Sequence, residues 1–84
     1  SKILAPLKKE MEDLEAEICR LEQVLGRANH ELAEASQNKK IETFVALSKT
    51  IKSTQEAIDS HFEKLESVTK KHDEKNKKYE ELLG

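Results

Sequence analysis

Apolar residues recur along the first half of the chain at alternating steps of three and four. This is the spacing of the a and d positions of a coiled-coil heptad, in which one stripe of a helix faces a partner helix. The stripe consists of Leu4, Leu7, Met11, Leu14, Ile18, Leu21, Leu25, Ala28, Leu32 and Ala35. It predicts a first helix over about residues 4–35, with Pro6 in the first turn, where a missing amide hydrogen costs least.

The pattern stops across residues 36–40 and resumes in a different frame. Its apolar members are then Ile41, Phe44, Ile51, Ile58, Phe62 and Leu65. The interruption is polar, and its Asn38 is a residue type that caps the start of a helix. The sequence therefore predicts a turn at about residues 36–39 and a second helix over about residues 40–82.

Two amphipathic helices joined by a short polar break predict an all-α fold. The expected architecture is an antiparallel two-helix coiled-coil hairpin that forms a single domain over residues 1–84. A turn centred near Asn38 would place Leu25 opposite Ile51 and Ile18 opposite Ile58.

A continuous helix that pairs in a parallel dimer remains an alternative. The break contains neither Gly nor Pro, and coiled coils can absorb register shifts of this kind. Lys39 and Lys40 would also bring the wrong charge to the first turn of a new helix.

The second helix is longer than the first can cover. Beyond about His72 it has no expected partner within the chain, and this overhang carries Tyr79, Leu82 and Leu83. A monomeric hairpin is the favoured state, and a homodimer through these three residues is the alternative.

Composition argues against a catalytic or membrane protein. The chain has 84 residues, of which 38% are charged and 36% hydrophobic, and this profile suits long helices better than a compact globule. It has no apolar run long enough to cross a bilayer and no signal-peptide pattern. The single cysteine excludes an internal disulfide and fits a reducing compartment. We therefore expect a cytoplasmic protein that does not associate with membranes.

The chain shows no enzyme motif. It lacks a glycine-rich phosphate loop, a Cys or His pair at metal-ligand spacing, and a set of nucleophile, base and orienting residues. His30, His61 and His72 are far apart along a helical rod, and Cys19 is expected on the surface. An acidic cluster at Glu10, Glu12, Asp13, Glu15 and Glu17 is interpreted as a solvated helix face. We expect no catalytic, metal or cofactor site in this chain.

Lysines are concentrated at the two ends of the second helix. Near the turn they are Lys39, Lys40, Lys49 and Lys52, and near the other end they are Lys70, Lys71, Lys75, Lys77 and Lys78. Such clusters can bind phosphates, and the binding is then strongly salt dependent. There are no interleaved aromatic residues to stack on bases, and the net charge is −2. These nine lysines are the candidate contact residues for a ribosome or a nucleic acid.

Several segments resemble the C-terminal coiled-coil domain of ABC-F family ATPases. Residues 5–11 (Ala-Pro-Leu-Lys-Lys-Glu-Met), 14–18 and 21–22 are similar to its first helix, and residues 32–35 (Leu-Ala-Glu-Ala) to the end of that helix. Residues 46–48, 58–59 and 62–66 (Phe-Glu-Lys-Leu-Glu) resemble its second helix. Leu65 stands where the family usually has tryptophan, and the tail after Val68 is longer than in the family.

The resemblance implies a non-catalytic arm of a soluble ATPase that acts on ribosomes. ATP and magnesium would then be bound by the parent protein, outside this chain. The implied partners are ribosomal RNA or protein, with DNA as a further candidate, and the arm would position the parent protein on them. The alternative is a structural coiled-coil rod for oligomerisation or protein–protein interaction.

Overall fold

The protein is a hairpin of two long helices. A computed structural model describes residues 4–83, in which helix α1 spans Ala5–Gln37 and helix α2 spans Ile41–Leu83. The two helices pack against each other along a rod of 65 × 14 × 14 Å. The predicted all-α helical hairpin is confirmed. Neither of the two helices is long and apolar enough to cross a membrane.

Helix α1 buries the stripe that its heptad pattern predicts. Ile18, Leu21, Ala28 and Ala35 are buried, and the remaining members of the stripe are half-buried. Pro6 lies in the first turn, where it lacks only an amide that would have no partner within the helix. The regular a and d spacing is therefore sufficient to define which face of α1 packs on α2.

The turn is a Schellman motif, in which the backbone closes the end of α1. The Lys40 N–H donates to the Ala35 carbonyl at 2.9 Å, and the Lys39 N–H donates to the Ser36 carbonyl at 3.3 Å. Lys39 adopts a left-handed conformation with φ of 55°, at the position where this motif usually has glycine. These bonds satisfy carbonyls at the end of α1 and reverse the chain direction.

Two expectations about the turn are corrected by this geometry. Asn38 is the C-cap of α1, with φ of −89°, and does not cap the start of α2. Lys39 and Lys40 lie in the connection rather than in the first turn of α2, although their charges remain next to the positive end of its dipole. The first backbone bond of α2 runs from the Phe44 N–H to the Lys40 carbonyl at 2.9 Å.

The buried face of α2 differs from the predicted one. Ile41 is 74% exposed and Phe62 is 48% exposed, although both were expected in the seam. The residues that face α1 keep a strict alternation of three and four and include polar side chains. They are Leu47, Ile51, Thr54, Ile58, His61, Leu65, Val68 and His72, each buried or half-buried.

Thr54 and His61 occupy the seam because each satisfies its polar group within α2. The Thr54 hydroxyl donates to the Thr50 carbonyl at 2.7 Å, and Nδ1 of His61 lies 2.7 Å from the Ala57 carbonyl oxygen. A buried polar atom with a hydrogen-bond partner avoids most of the desolvation penalty. Both residues can therefore take positions that their polarity alone would assign to the surface.

Proximity at two levels indicates the register of the hairpin. Beside the turn, Ala35 and Phe44 line one groove together. Farther along, the charge of His61 acts on Glu17 across the seam. Continuing the three-four alternation between these two levels places Ile51 beside Ala28.

By the same alternation, Ile58 lies beside Leu21, and both side chains are buried. The pairs predicted from the sequence, Leu25 with Ile51 and Ile18 with Ile58, are displaced by about one helical turn. The displacement arises because the turn is centred after Asn38 rather than on it.

Candidate docking surfaces

The turn end of the rod, called the tip below, combines exposed apolar and cationic side chains. Its members are Lys39, Lys40, Ile41, Phe44 and Val45. Ile41, Phe44 and Val45 are 74%, 39% and 47% exposed, and both lysines are exposed. The Schellman turn and the first turn of α2 hold all five residues on ordered backbone. The tip is therefore a preformed surface.

The tip has two chemically different sides. One groove is lined by Ala35, Ser36, Lys39, Lys40, Ile41 and Phe44, and it is apolar with a cationic rim. The other groove is lined by Glu31, Glu34, Ala35, Asn38, Lys40, Thr43 and Leu47, and it carries two carboxylates. The two grooves share Lys40, and the carboxylates of Glu31 and Glu34 line only the second of them.

The sequence did not identify the apolar part of the tip. Ile41 and Phe44 were assigned to the helix–helix seam because they are large and apolar. A signal was present in the spacing, since Leu47, Ile51, Ile58 and Leu65 form a frame in which Ile41 is one position out of phase. Val45 is not part of the apolar pattern predicted for α2.

All nine candidate lysines are exposed, but they do not form one surface. Lys39, Lys40, Lys49 and Lys52 lie within the first three turns of α2 or just before it. Lys70, Lys71, Lys75, Lys77 and Lys78 lie toward the other end of a rod 65 Å long. A ligand that contacted both groups would have to span most of that length.

Lys70 and Lys77 of the second lysine group share a groove with acidic side chains of their own helix, Glu66, Asp73 and Glu74. The acidic cluster of α1 lies next to this groove, since the register places Met11 near Val68 and the stretch from Glu10 to Glu17 alongside residues 61–69 of α2. Four of the five acidic side chains are exposed, and Glu17 is half-buried. Because opposite charges at this end screen one another, its lysines offer less net attraction to phosphate than their number suggests.

Glu17 is the acidic residue with the best defined partner. Arg20 binds its carboxylate with two nitrogens, and the Nε bond to Oε2 is 3.0 Å long. This hydrogen bond lowers the pKa of Glu17; slight burial acts in the opposite direction, and the charges of Arg20 and His61 lower the pKa further. The pair lies at the edge of the seam and has a structural role.

The three histidines and the cysteine do not converge on a site. Nε2 of the exposed His30 lies 3.0 Å from Glu34 on its own helix, and Nδ1 of His72 lies 3.5 Å from Asp73. His61 bonds to its own backbone, and Cys19 is an exposed free thiol. Residues 4–83 contain no group of three or more His, Cys, Asp or Glu side chains placed to hold a metal ion.

Comparison of the chain with models of known protein families, with curated proteins and with solved structures finds no match. The resemblance to ABC-F ATPases therefore stays a prediction from the residues that carry it.

Proposed function

We propose that this chain is a non-catalytic docking arm whose tip binds a partner and so positions the protein to which it belongs. The observation that carries the proposal is the tip itself. Three exposed apolar side chains beside two lysines stand at the end of a rod, on backbone held by hydrogen bonds. Exposed apolar groups clustered with charges are typical of interaction sites rather than of inert surface.

The arrangement suits binding better than catalysis. Every candidate contact residue lies on the outside of a two-helix rod, and the grooves beside the turn are open to solvent. A rigid helical hairpin can transmit position over its length, because its two helices brace each other along the shared seam. The arm would place its tip about 65 Å from its other end.

The proposed partner is the ribosome, through its RNA or its proteins. The similarity of residues 5–11 and 62–66 to the coiled-coil domain of ABC-F ATPases supports this choice. Under this proposal ATP and magnesium belong to the parent protein, and the arm contributes position only. DNA is a second partner of the same phosphate chemistry and is tested in parallel.

Co-sedimentation of the chain with ribosomes, over a series of salt concentrations, tests the proposal. Replacing Lys39 and Lys40 together with Glu is expected to weaken binding and to make its salt dependence shallower by roughly 1.5 in the logarithmic slope, if each lysine contacts a phosphate. The matched control replaces Lys8 and Lys9 with Glu. It changes the net charge by the same amount as the tip variant, but near the start of α1, at the end of the rod opposite the tip.

A companion variant replaces Lys70 and Lys71 with Glu. We expect a smaller effect than at the tip, because Glu66, Asp73 and Glu74 line one groove with Lys70. Full binding by both the Lys39/Lys40 variant and the Lys70/Lys71 variant would contradict the assignment of contacts to lysines. No binding of the unmodified chain to ribosomes, even at low salt, would refute the ribosomal partner.

A second candidate function is a structural rod for oligomerisation. It is favoured by the exposed apolar side chains at the end of α2, where Leu82 and Leu83 are 85% and 72% exposed and Tyr79 is 37% exposed. A thermal melting temperature that rises with protein concentration would support this role. Melting that is independent of concentration would exclude an obligate dimer.

A further inference from the structure

We infer that the tip binds a protein groove, apolar at its centre and acidic along one edge, rather than the phosphate backbone of a nucleic acid. This inference rests on the docking role proposed above and names the chemistry of its partner. Its basis is the spacing of the exposed apolar residues and the distribution of charge around them.

Ile41, Phe44 and Val45 occupy positions i, i+3 and i+4 of one helix. Side chains at this spacing project from the same face of a helix. The same spacing defines the anchor residues of helices that bind in the hydrophobic grooves of partner proteins. All three are at least 39% exposed, although they belong to the first turns of a helix that buries other residues.

The carboxylates that α1 brings near these anchors are confined to one groove. Lys39 and Lys40 line the groove that also contains Ile41 and Phe44, whereas Glu31 and Glu34 line a second groove that shares only Lys40 with the cationic residues of the first. A partner with carboxylates along one edge of an apolar groove would pair with the lysines and keep away from the glutamates. A polyphosphate chain would meet both signs of charge and gain little.

The apolar anchors also gain little from phosphate. A nucleic acid presents charge and sugar on its outside, and single-stranded binding depends on aromatic side chains that stack on bases. The tip has a single aromatic residue, Phe44. Most of the exposed apolar surface is aliphatic. Such surface gives a favourable binding free energy only when a partner buries it against other apolar groups.

A second copy of the chain is a poorer occupant than a larger protein. Only three apolar side chains are exposed at the tip, and two tips meeting end to end would fall well short of the roughly 1,200 Å² buried in stable interfaces. A concave groove can surround the end of the hairpin and contact both helices. We therefore assign the tip to a groove on a larger protein.

The test compares binding to intact ribosomal particles with binding to ribosomal RNA freed of protein. The key variant replaces Ile41 and Val45 with Gln, which removes apolar surface and keeps good helix propensity. We expect it to bind intact particles at least tenfold more weakly and to bind free RNA unchanged. The matched control replaces Leu82 and Leu83 with Gln at the other end of α2 and is expected to bind normally.

The outcomes separate this inference from the docking role. If the unmodified chain binds neither particles nor RNA, the proposed function fails. If the unmodified chain binds both particles and free RNA, and the double variant with Ile41→Gln and Val45→Gln binds particles normally, then the arm contacts RNA and the protein groove is refuted. The inference would also be overturned if the unmodified chain bound free RNA more tightly than intact particles. Circular dichroism of each variant checks that its helices are intact.

Discussion

Replacement of Lys39 with glycine should stabilise the hairpin. Lys39 has φ of 55°, a conformation that costs a non-glycine residue roughly 1–2 kcal/mol and glycine almost nothing. Part of this stabilisation is lost, because glycine has more conformational entropy than lysine in the unfolded chain. The net expectation is a stabilisation of about 1 kcal/mol, which corresponds to a rise in melting temperature of roughly 4–8 °C for a domain of this size.

The measurement is thermal and urea unfolding followed by circular dichroism. Asn38→Gly is the matched control, because Asn38 is the preceding residue and has φ of −89°. At a negative φ, glycine should destabilise by roughly 0.5–1 kcal/mol. If both variants shift stability in the same direction, or if Lys39→Gly lowers it, the left-handed geometry assigned to Lys39 is wrong.

Three further changes test other parts of the structure. Gly26→Ala should stabilise α1 by about 1 kcal/mol, because a methyl group there would meet no atom within 4 Å; an unchanged urea midpoint would contradict this. Leu21→Ala should cost roughly 2–4 kcal/mol, whereas Ile41→Ala should change stability by less than about 0.5 kcal/mol; equal losses would mean that the register is wrong. The lowered pKa of Glu17 means that its pairing stabilises the fold above the ordinary glutamate range and stops doing so as the pH falls through the lowered value. An NMR titration should show this pKa move upward in Arg20→Gln, and no movement would exclude the hydrogen bond as the main cause.

The two-helix hairpin and the packing face of α1 followed from the spacing of apolar residues. The face of α1 was predictable because each of its a and d positions is apolar and no competing stripe exists. The face of α2 was not, since Ile41 and Phe62 are large and apolar whereas Thr54 and His61 are polar. Side-chain hydrophobicity predicts Ile41 and Phe62 in the seam, whereas the register of the hairpin places Thr54 and His61 there.

The candidate site was predictable only in its lysines. Their positions along α2 are visible in the sequence, and their exposure agrees with it. Their surroundings depend on α1, which brings Glu31 and Glu34 to one side of the tip and the acidic cluster to the far end of the rod. Such neighbours are distant in sequence and become adjacent only when the chain reverses.

The sequence by itself determined that the chain is helical on both sides of a break in the heptad frame near residue 38 and that α1 packs through one apolar stripe, but not that the chain reverses at the break. These properties depend on local spacing and on helix propensity, which act over a few residues. The tertiary structure decided the register, the left-handed conformation of Lys39 and the exposure of the apolar tip. Each depends on how the turn closes, because a shift of one residue in the turn rotates α2 by about 100° relative to α1 and so selects a different set of side chains for the seam.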